Sequence, residues 1–245
     1  MVDSGSLNDI VRARLYGAYA STHTGVADDH CATDLAFRRD IAPLLPDRRD
    51  LRVLDIGCGR GHLVRAVLQA GYRDVHGIDI SAEHVDLAHA SGLEAQVTQG
   101  DFRVALADAA GTIDVVLATD VLEHLTRNEC VETMDLIHQA LRPAGCIVAR
   151  VPNAGSPFGG LIRFGDLTHE SWFTVRSLRQ LTLATGFGDL VVIPCKPNRH
   201  GVKSTLRAAA WSVASGAMKA TLAAETGVVS GHIVTQNMTF RAVVR

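Results

Sequence analysis

Short apolar runs alternate with stretches of helical period through most of the 245-residue sequence, and this rhythm restricts the fold more than any other feature. Residues 52–57 (RVLDIG), 75–80 (VHGIDI), 94–101, 113–120 (IDVVLATD) and 146–151 read as strands. Between the first two, residues 63–70 carry helical spacing, and Ser81 is placed as the N-cap of a helix holding Glu83, Val85, Leu87 and Ala88. Met134, Ile137 and Leu141 share one face of a helix over 127–141, which Pro143 and Gly145 end. Strands apolar along nearly their whole length have no wet face. They belong to a parallel sheet covered on both sides by helices, the doubly wound α/β class.

The last third breaks this rhythm. Residues 153–173 are polar, rich in Gly and Pro and aperiodic, and so long a loop inside a compact domain is usually functional. A helix over 176–184, a strand over 189–194, a mostly helical stretch over 195–231 and a last strand over 233–244 are predicted to follow. Neither an internal repeat nor a linker long enough to divide the chain is visible. An apolar content of 47% excludes a disordered chain, and 24 basic against 26 acidic residues give none of the basic excess of a nucleic-acid binder. Residues 1–10 contain Asp3 and Asp9 and lack the apolar segment of a signal peptide. No run reaches the roughly 18 apolar residues of a membrane span. The nearest, 205–224, is interrupted by Arg207 and Lys219. The five cysteines (31, 58, 130, 146 and 195) form no CxxC pair and read as reduced thiols. The expectation is a soluble, cytoplasmic protein without membrane or nucleic-acid partners.

The first strand runs into Asp55-Ile56-Gly57-Cys58-Gly59-Arg60-Gly61, with a helix immediately behind. Alternate glycines let the backbone turn tightly and approach a ligand, and the helix N-terminus offers unpaired N–H groups. A dinucleotide fingerprint counted from Gly57 would need Gly or Ala at position 62, where this chain has His62. The pattern VLDIGCGRG instead resembles motif I of the class I S-adenosylmethionine (SAM) dependent methyltransferases. That resemblance implies a Rossmann-like, seven-stranded, mostly parallel sheet with a helical insertion near the C-terminus, and SAM as cofactor. It further implies that Asp55, Gly57, Cys58, Gly59 and Gly61 approach the amino acid end of SAM. Asp79, with Ile80 beside it, falls where a carboxylate accepts the ribose hydroxyls, and Asp101 and Phe102 fall at the adenine. Asp120 and Val121 close strand four under the same site.

Methyl transfer to a hydroxyl needs a base or a metal ion near the methyl group. Asp120, Glu123 and His124 lie together just beyond strand four, and the run resembles the E-x-x-E-H segment of ubiquinone-type O-methyltransferases, whose side chains hold a divalent cation. By that resemblance Asp120, Glu123 and His124, joined by His169, would bind Mg²⁺ or Mn²⁺. The competing reading has Asp120 touching SAM and Glu123-His124 opening a helix. His169 lies in the aperiodic loop with Asp166 three residues before it. Asp166 would orient His169 as a base, or else Thr168 and His169 only cap the helix that starts near Thr174. The candidate catalytic residues are therefore His124, His169 and Asp166.

Several later phrases occur together: Val151-Pro-Asn153, Gly165-Asp-Leu-Thr-His-Glu, Ser177-Leu-Arg-Gln-Leu, His200-Gly-Val-Lys-Ser204, Glu225-Thr-Gly227 and Thr235-Gln-Asn237. They look like the methyltransferases of bacterial polysaccharide and glycolipid clusters, and most narrowly like those of mycobacterial methylmannose-polysaccharide synthesis. The segment with Tyr16, Tyr19 and His23 fits too, since in that family it closes over SAM. The resemblance implies one methyltransferase domain over 1–245: a helical cap (1–50), a SAM-binding core (51–153), a substrate loop with helical insertion (154–231) and the last strand (232–245). It also implies a small-molecule or oligosaccharide acceptor and admits a homodimer. A small aromatic or lipid hydroxyl, or a SAM-binding regulator without turnover, are the alternatives; the 5% aromatic content argues mildly against a stacked planar acceptor.

Overall fold

A computed structural model describes residues 14–15, 34–199 and 201–245. Tyr16, Tyr19, His23, Cys31 and His200 lie outside the described residues. Seven strands form one sheet: β1 (Arg52–Ile56), β2 (Asp74–Asp79), β3 (Val97–Gln99), β4 (Ile113–Thr119), β5 (Leu141–Pro152), β6 (Phe187–Pro194) and β7 (Asn237–Val244). Their order is β3-β2-β1-β4-β5-β7-β6. The β1–β2, β1–β4, β2–β3 and β4–β5 pairs are parallel, whereas β7 runs antiparallel to both β5 and β6. Helices α1 (His62–Gln69), α2 (Ala82–Ala90), α3 (Phe102–Asp108), α4 (Arg127–Ala140), α5 (Gly159–Arg163), α6 (Val175–Ala184) and α7 (Gly201–Thr226) complete the described elements. This is the doubly wound, mostly parallel α/β sheet that the apolar runs imply.

Side chains of a strand alternate between faces, so each inner strand feeds two cores. Val116 and Ala118 of β4 join Ile147, Met134, Ile137 and Phe240 on one face. Val115 and Leu117 join Val53, Val148, Val64 and Val85 on the other. Ser81 caps α2 by accepting from the His84 N–H (3.3 Å), and Thr126 with Glu129 closes a capping box on α4.

Three local expectations are corrected, and one element that the sequence reading did not assign appears. Residues 94–96 form a turn instead of strand, because the Gln96 and Val97 N–H groups close back on the Leu93 carbonyl (3.0 and 2.9 Å). Residues 102–108 are helix α3, with Asp101 as N-cap. Leu141 pairs with Ile113 as strand, residues 142–145 bulge out with Ala144 at φ 63°, and pairing resumes at Cys146↔Val115. Residues 233–236 do not extend β7 but supply carbonyls to the 153–173 loop. Asn153 Nδ2 donates to the carbonyls of Ile233 (2.8 Å) and Thr235 (2.9 Å), and Ser156 Oγ to that of Val234 (3.1 Å).

No helix among the described residues is long and apolar enough to cross a membrane. Phe240, fully buried between Ala149 and Val192, fastens the antiparallel part of the sheet to the core. Phe240→Ala is expected to lower unfolding free energy by about 3–5 kcal/mol, read from denaturant midpoints at constant m.

Candidate active site

β1 lies between β2 and β4, so connections leave its neighbourhood in opposite directions and a crevice opens at the carboxyl ends of β1 and β4. The glycine loop leaves β1 into this crevice with Gly57, Gly59 and Gly61 at φ 63°, 52° and 73°, where only glycine is comfortable. A Cβ on Gly57 would lie 2.7 Å from Val121 Cγ2, and one on Gly61 2.5 Å from Leu93 Cδ1. These two glycines are required by packing. A Cβ on Gly59 would meet only His84 Nδ1, at 4.0 Å, so the space before Gly59 is open. That opening is a cradle for a ligand.

Asp79 fixes the loop beside it: Oδ2 accepts from the Gly59 N–H (2.7 Å) and Oδ1 from the Ser81 N–H (2.9 Å). Ile80, next to it, is 71% exposed and offers an apolar face to a planar group at the edge of the crevice. Asp101 accepts from the Arg103 N–H (2.8 Å), and the Arg103 guanidinium stacks over Phe102 (5.0 Å). Asp55 is only 2% exposed; burial first, and then the charge of Asp79, raise its carboxyl well above the ordinary range. The Cys58 side chain is packed into the core under Gly77, where an added Cβ would lie 2.7 Å from its Sγ. Burial holds its thiol protonated.

Asp120 departs from the expected metal role. It sits at φ 56° just after β4, and Arg150 grips it with two hydrogen bonds, Nε to Oδ1 at 2.9 Å and a second to Oδ2. The charge of Asp120 raises the Arg150 pKa further, so the guanidinium stays charged. Glu123, His124 and His169 come together instead, each offering a ligand atom within 4.8 Å of the others. Glu123 is 1% exposed, on the single turn Leu122–His124, and its Oε2 makes no hydrogen bond. Burial first, then the charge of Asp120, push its carboxyl pKa well up. His169 Nδ1 is likewise buried without a hydrogen-bond partner, and the two imidazoles meet edge to face at 4.9 Å.

The 153–173 loop reaches this turn through the Glu170 and Ser171 N–H groups, which both donate to the Glu123 carbonyl (2.7 and 3.0 Å). Asp166 Oδ2 lies 3.9 Å from His169 Nε2, at the edge of ion-pair distance. Asp166 Oδ1 accepts from the Thr168 N–H (2.8 Å) and from the Thr168 hydroxyl (2.6 Å). Burial opposes ionisation of Asp166, but the Thr168 bonds and the nearby imidazoles outweigh it and its pKa is lowered. The Thr168 hydroxyl proton is thus committed to an acceptor-only carboxylate. His124 Nδ1, 2.8 Å from Thr168 Oγ1, must then donate. Burial, reinforced by His169, lowers the His124 pKa, so the ring is neutral near pH 7 with its lone pair on Nε2. The helix-cap alternative for Thr168 and His169 fails, because Thr174 caps α6, accepting from the Ser177 N–H (3.1 Å).

Sequence reasoning missed Arg150 and the bridging hydroxyl of Thr168. A single charge inside the apolar run 146–151 was the available signal for Arg150. Nothing marked Thr168 apart from other loop hydroxyls.

A sheet of this order, with a glycine loop at the crevice beside β1 and a carboxylate ending β2, defines the class I SAM-dependent methyltransferases. The chain belongs to the methyltransferase domain family, which it matches over residues 31–191. The ubiquinone biosynthesis O-methyltransferase of Mesorhizobium japonicum is 31% identical over 179 residues, 66% of this chain and 67% of that protein. The enzyme of the same name from Bordetella avium is 39% identical over 96 residues, 37% of this chain and 38% of that protein, so the match spans well under half of its length. Among solved structures, a SAM-dependent methyltransferase from Archaeoglobus fulgidus superposes with a TM-score of 0.66 at 19% identity, covering 93% of this chain and 99% of the other. The 1,6-didemethyltoxoflavin-N1-methyltransferase of Burkholderia thailandensis, bound to S-adenosylhomocysteine, gives 0.62 at 19% identity over 100% of this chain and 91% of the other. These structures share the fold. SAM is the cofactor of the family.

Two outcomes follow from this geometry. Gly59→Ala is expected to cost about 1 kcal/mol of stability through its positive φ yet weaken SAM binding at least tenfold, whereas Gly57→Ala costs more stability through the Val121 clash; thermal melts and calorimetric SAM titration separate them. Glu123→Gln is expected to stabilise the protein in chelator. A carboxyl whose folded pKa is raised loses stability as pH rises from about 4.5 towards that folded value, and Gln has no proton to lose. The gain in Tm should therefore grow over that window, and equal melts at every pH would contradict it.

Proposed function

We propose that the protein transfers the methyl group of SAM to a saccharide hydroxyl, with His124 as the base. The hydrogen-bond chain Asp166–Thr168–His124 carries this reading, because it sets a neutral imidazole in one tautomer beside the crevice. SAM supplies a methyl group already activated on a sulfonium. The chain's own task is to hold the acceptor oxygen in line and receive its proton. As the O–CH₃ bond forms and the C–S bond breaks, the hydroxyl proton passes to His124 Nε2. The resulting imidazolium is stabilised through Thr168 by ionised Asp166. Gly59 and Asp79, with Ile80, Asp101 and Phe102 along the edge, hold the donor. The segment with Tyr16, Tyr19 and His23 is proposed to cover it, as part of one methyltransferase domain.

A divalent cation is the second form of this site. Glu123, His124 and His169 would hold it, and it would lower the pKa of a coordinated hydroxyl. The orphaned Glu123 Oε2 and His169 Nδ1 fit that role. One carboxylate and two imidazoles suit Mn²⁺ better than Mg²⁺, which prefers oxygen donors. Because both forms use the same His124 lone pair, they exclude each other. Exhaustive chelation separates them: undiminished turnover leaves His124 as the base, and turnover restored by Mn²⁺ makes it a ligand.

The saccharide acceptor rests on the C-terminal phrases and the low aromatic content. The Mesorhizobium and Bordetella relatives, by their names in ubiquinone biosynthesis, favour a small aromatic hydroxyl instead. A panel of glycans and phenols with labelled SAM decides between them. The four cysteines among the described residues are free thiols, which supports a reducing, cytoplasmic setting.

His124→Ala should lower kcat by about 10² to 10⁴ and leave SAM affinity unchanged. Thr168→Val should cost roughly tenfold by releasing the tautomer, about 1.4 kcal/mol. Since the His124 pKa is lowered, the acid limb of the kcat profile should fall below pH 6.5. If Thr168→Val were silent and His169→Ala abolished turnover, the base would be His169.

A further inference from the structure

Apart from the crevice, a cleft of about 520 Å³ opens between the helical segment before β1, the β6–α7 connection and α7. Arg38, Arg39, Lys196 and Arg199 line it, Trp211 forms part of its wall, and no carboxylate is among the described residues that line it. A solvated surface face would mix signs. Here four cations of a chain with an overall acidic excess gather in one concavity of ligand size.

The cleft is also built. Arg39 is gripped by Asp40, itself 1% exposed, and donates to Asn198 Oδ1, which ties the β6–α7 connection to the opposite wall. Arg38 pairs with Asp34 at 3.0 Å. Lys196 and Arg199 have no ion-pair partner among the described residues. The cleft communicates with the catalytic side in two ways. Trp211 lies against Phe158 (centroids 6.2 Å apart), a residue of the loop that carries Thr168 and His169. Cys195, at the start of the connection, lies within electrostatic reach of both Asp40 and Arg150.

We propose that this cleft, apart from the methyl-transfer crevice, binds an anionic sugar-sized ligand through its phosphate or carboxylate, with the ring against Trp211. Lys196 and Arg199 supply the charge-assisted hydrogen bonds to the oxyanion, and the indole face offers an apolar surface for a sugar ring. The charge selectivity of the cleft does not rest on the methyl-transfer reading above, and it is measured without SAM.

The test is calorimetric titration of the full chain, at low ionic strength, with glucose 6-phosphate, glucuronate and glucose. At least one anionic sugar should bind at least tenfold tighter than glucose and lose affinity as salt is added. A preference for the phosphate or for the uronate names the group. Lys196→Ala/Arg199→Ala should weaken the anionic sugar at least tenfold and leave SAM affinity unchanged, which also reports that the variant is folded. Trp211→Leu should weaken the same ligand without removing its salt dependence. Equal affinity for all three sugars, no binding of either anion, or undiminished binding by the folded double variant would each overturn the proposal. Methyl transfer to neutral glycans without anion binding would overturn it and leave the methyltransferase reading standing. Anion binding without any methyl transfer would do the reverse.

Discussion

Both edges of β1 are hydrogen-bonded in parallel, to β2 on one side and β4 on the other. The site depends on this arrangement. It sends the chain towards β3 from one edge and towards β5 from the other, and the backbones separate where the two directions part. The glycine loop and the Asp120 turn both leave the sheet there. They meet where Gly57 lacks a Cβ and Val121 fills its place. One strand pairing therefore aligns the glycine loop with the turn that carries Glu123 and His124.

The parallel half of the fold was legible because burial on both faces writes itself as continuous apolar runs, as in 113–119 and 146–151. The glycine loop was legible because positive φ at Gly57, Gly59 and Gly61 leaves few alternatives to glycine. Asp79 followed from its place at a strand end. The Asp120–Arg150 pair was not legible, since its members are 30 residues apart and meet only through the β4–β5 register. Thr168 escaped for a related reason: its role comes from a loop folded back on a turn 44 residues earlier. Helix α3 was hidden because Asp101, read as a strand end, is the cap that starts it.

The polar interior beside the crevice divides its ionisable groups by partner. Asp120 is gripped by Arg150, and Asp166 is stabilised as an anion by Thr168. Glu123 has no such partner at Oε2 and favours its neutral form, as does His124. Asp166 is thus held in its charged form, while a carboxyl and an imidazole beside it retain the capacity to change theirs. Low polarisability around them makes each change costly unless a proton or a cation compensates it. A site arranged in this way is suited to receiving one positive charge at a time.

β7 is later in the chain than every other strand, yet it lies between β5 and β6 and is the strand partner of both. During synthesis, β5 and β6 must therefore wait with open hydrogen-bonding edges until residues 237–244 emerge. The carbonyls at 233–235 that fasten Asn153 and Ser156 arrive with them. The loop bearing Thr168 and His169 gains these three bonds only at that moment. The parallel half of the sheet can assemble while translation continues, but the antiparallel half must wait. A nascent chain stalled before residue 233 would present the glycine-loop crevice with the loop beside it held at the Glu123 turn and not yet fastened at its start.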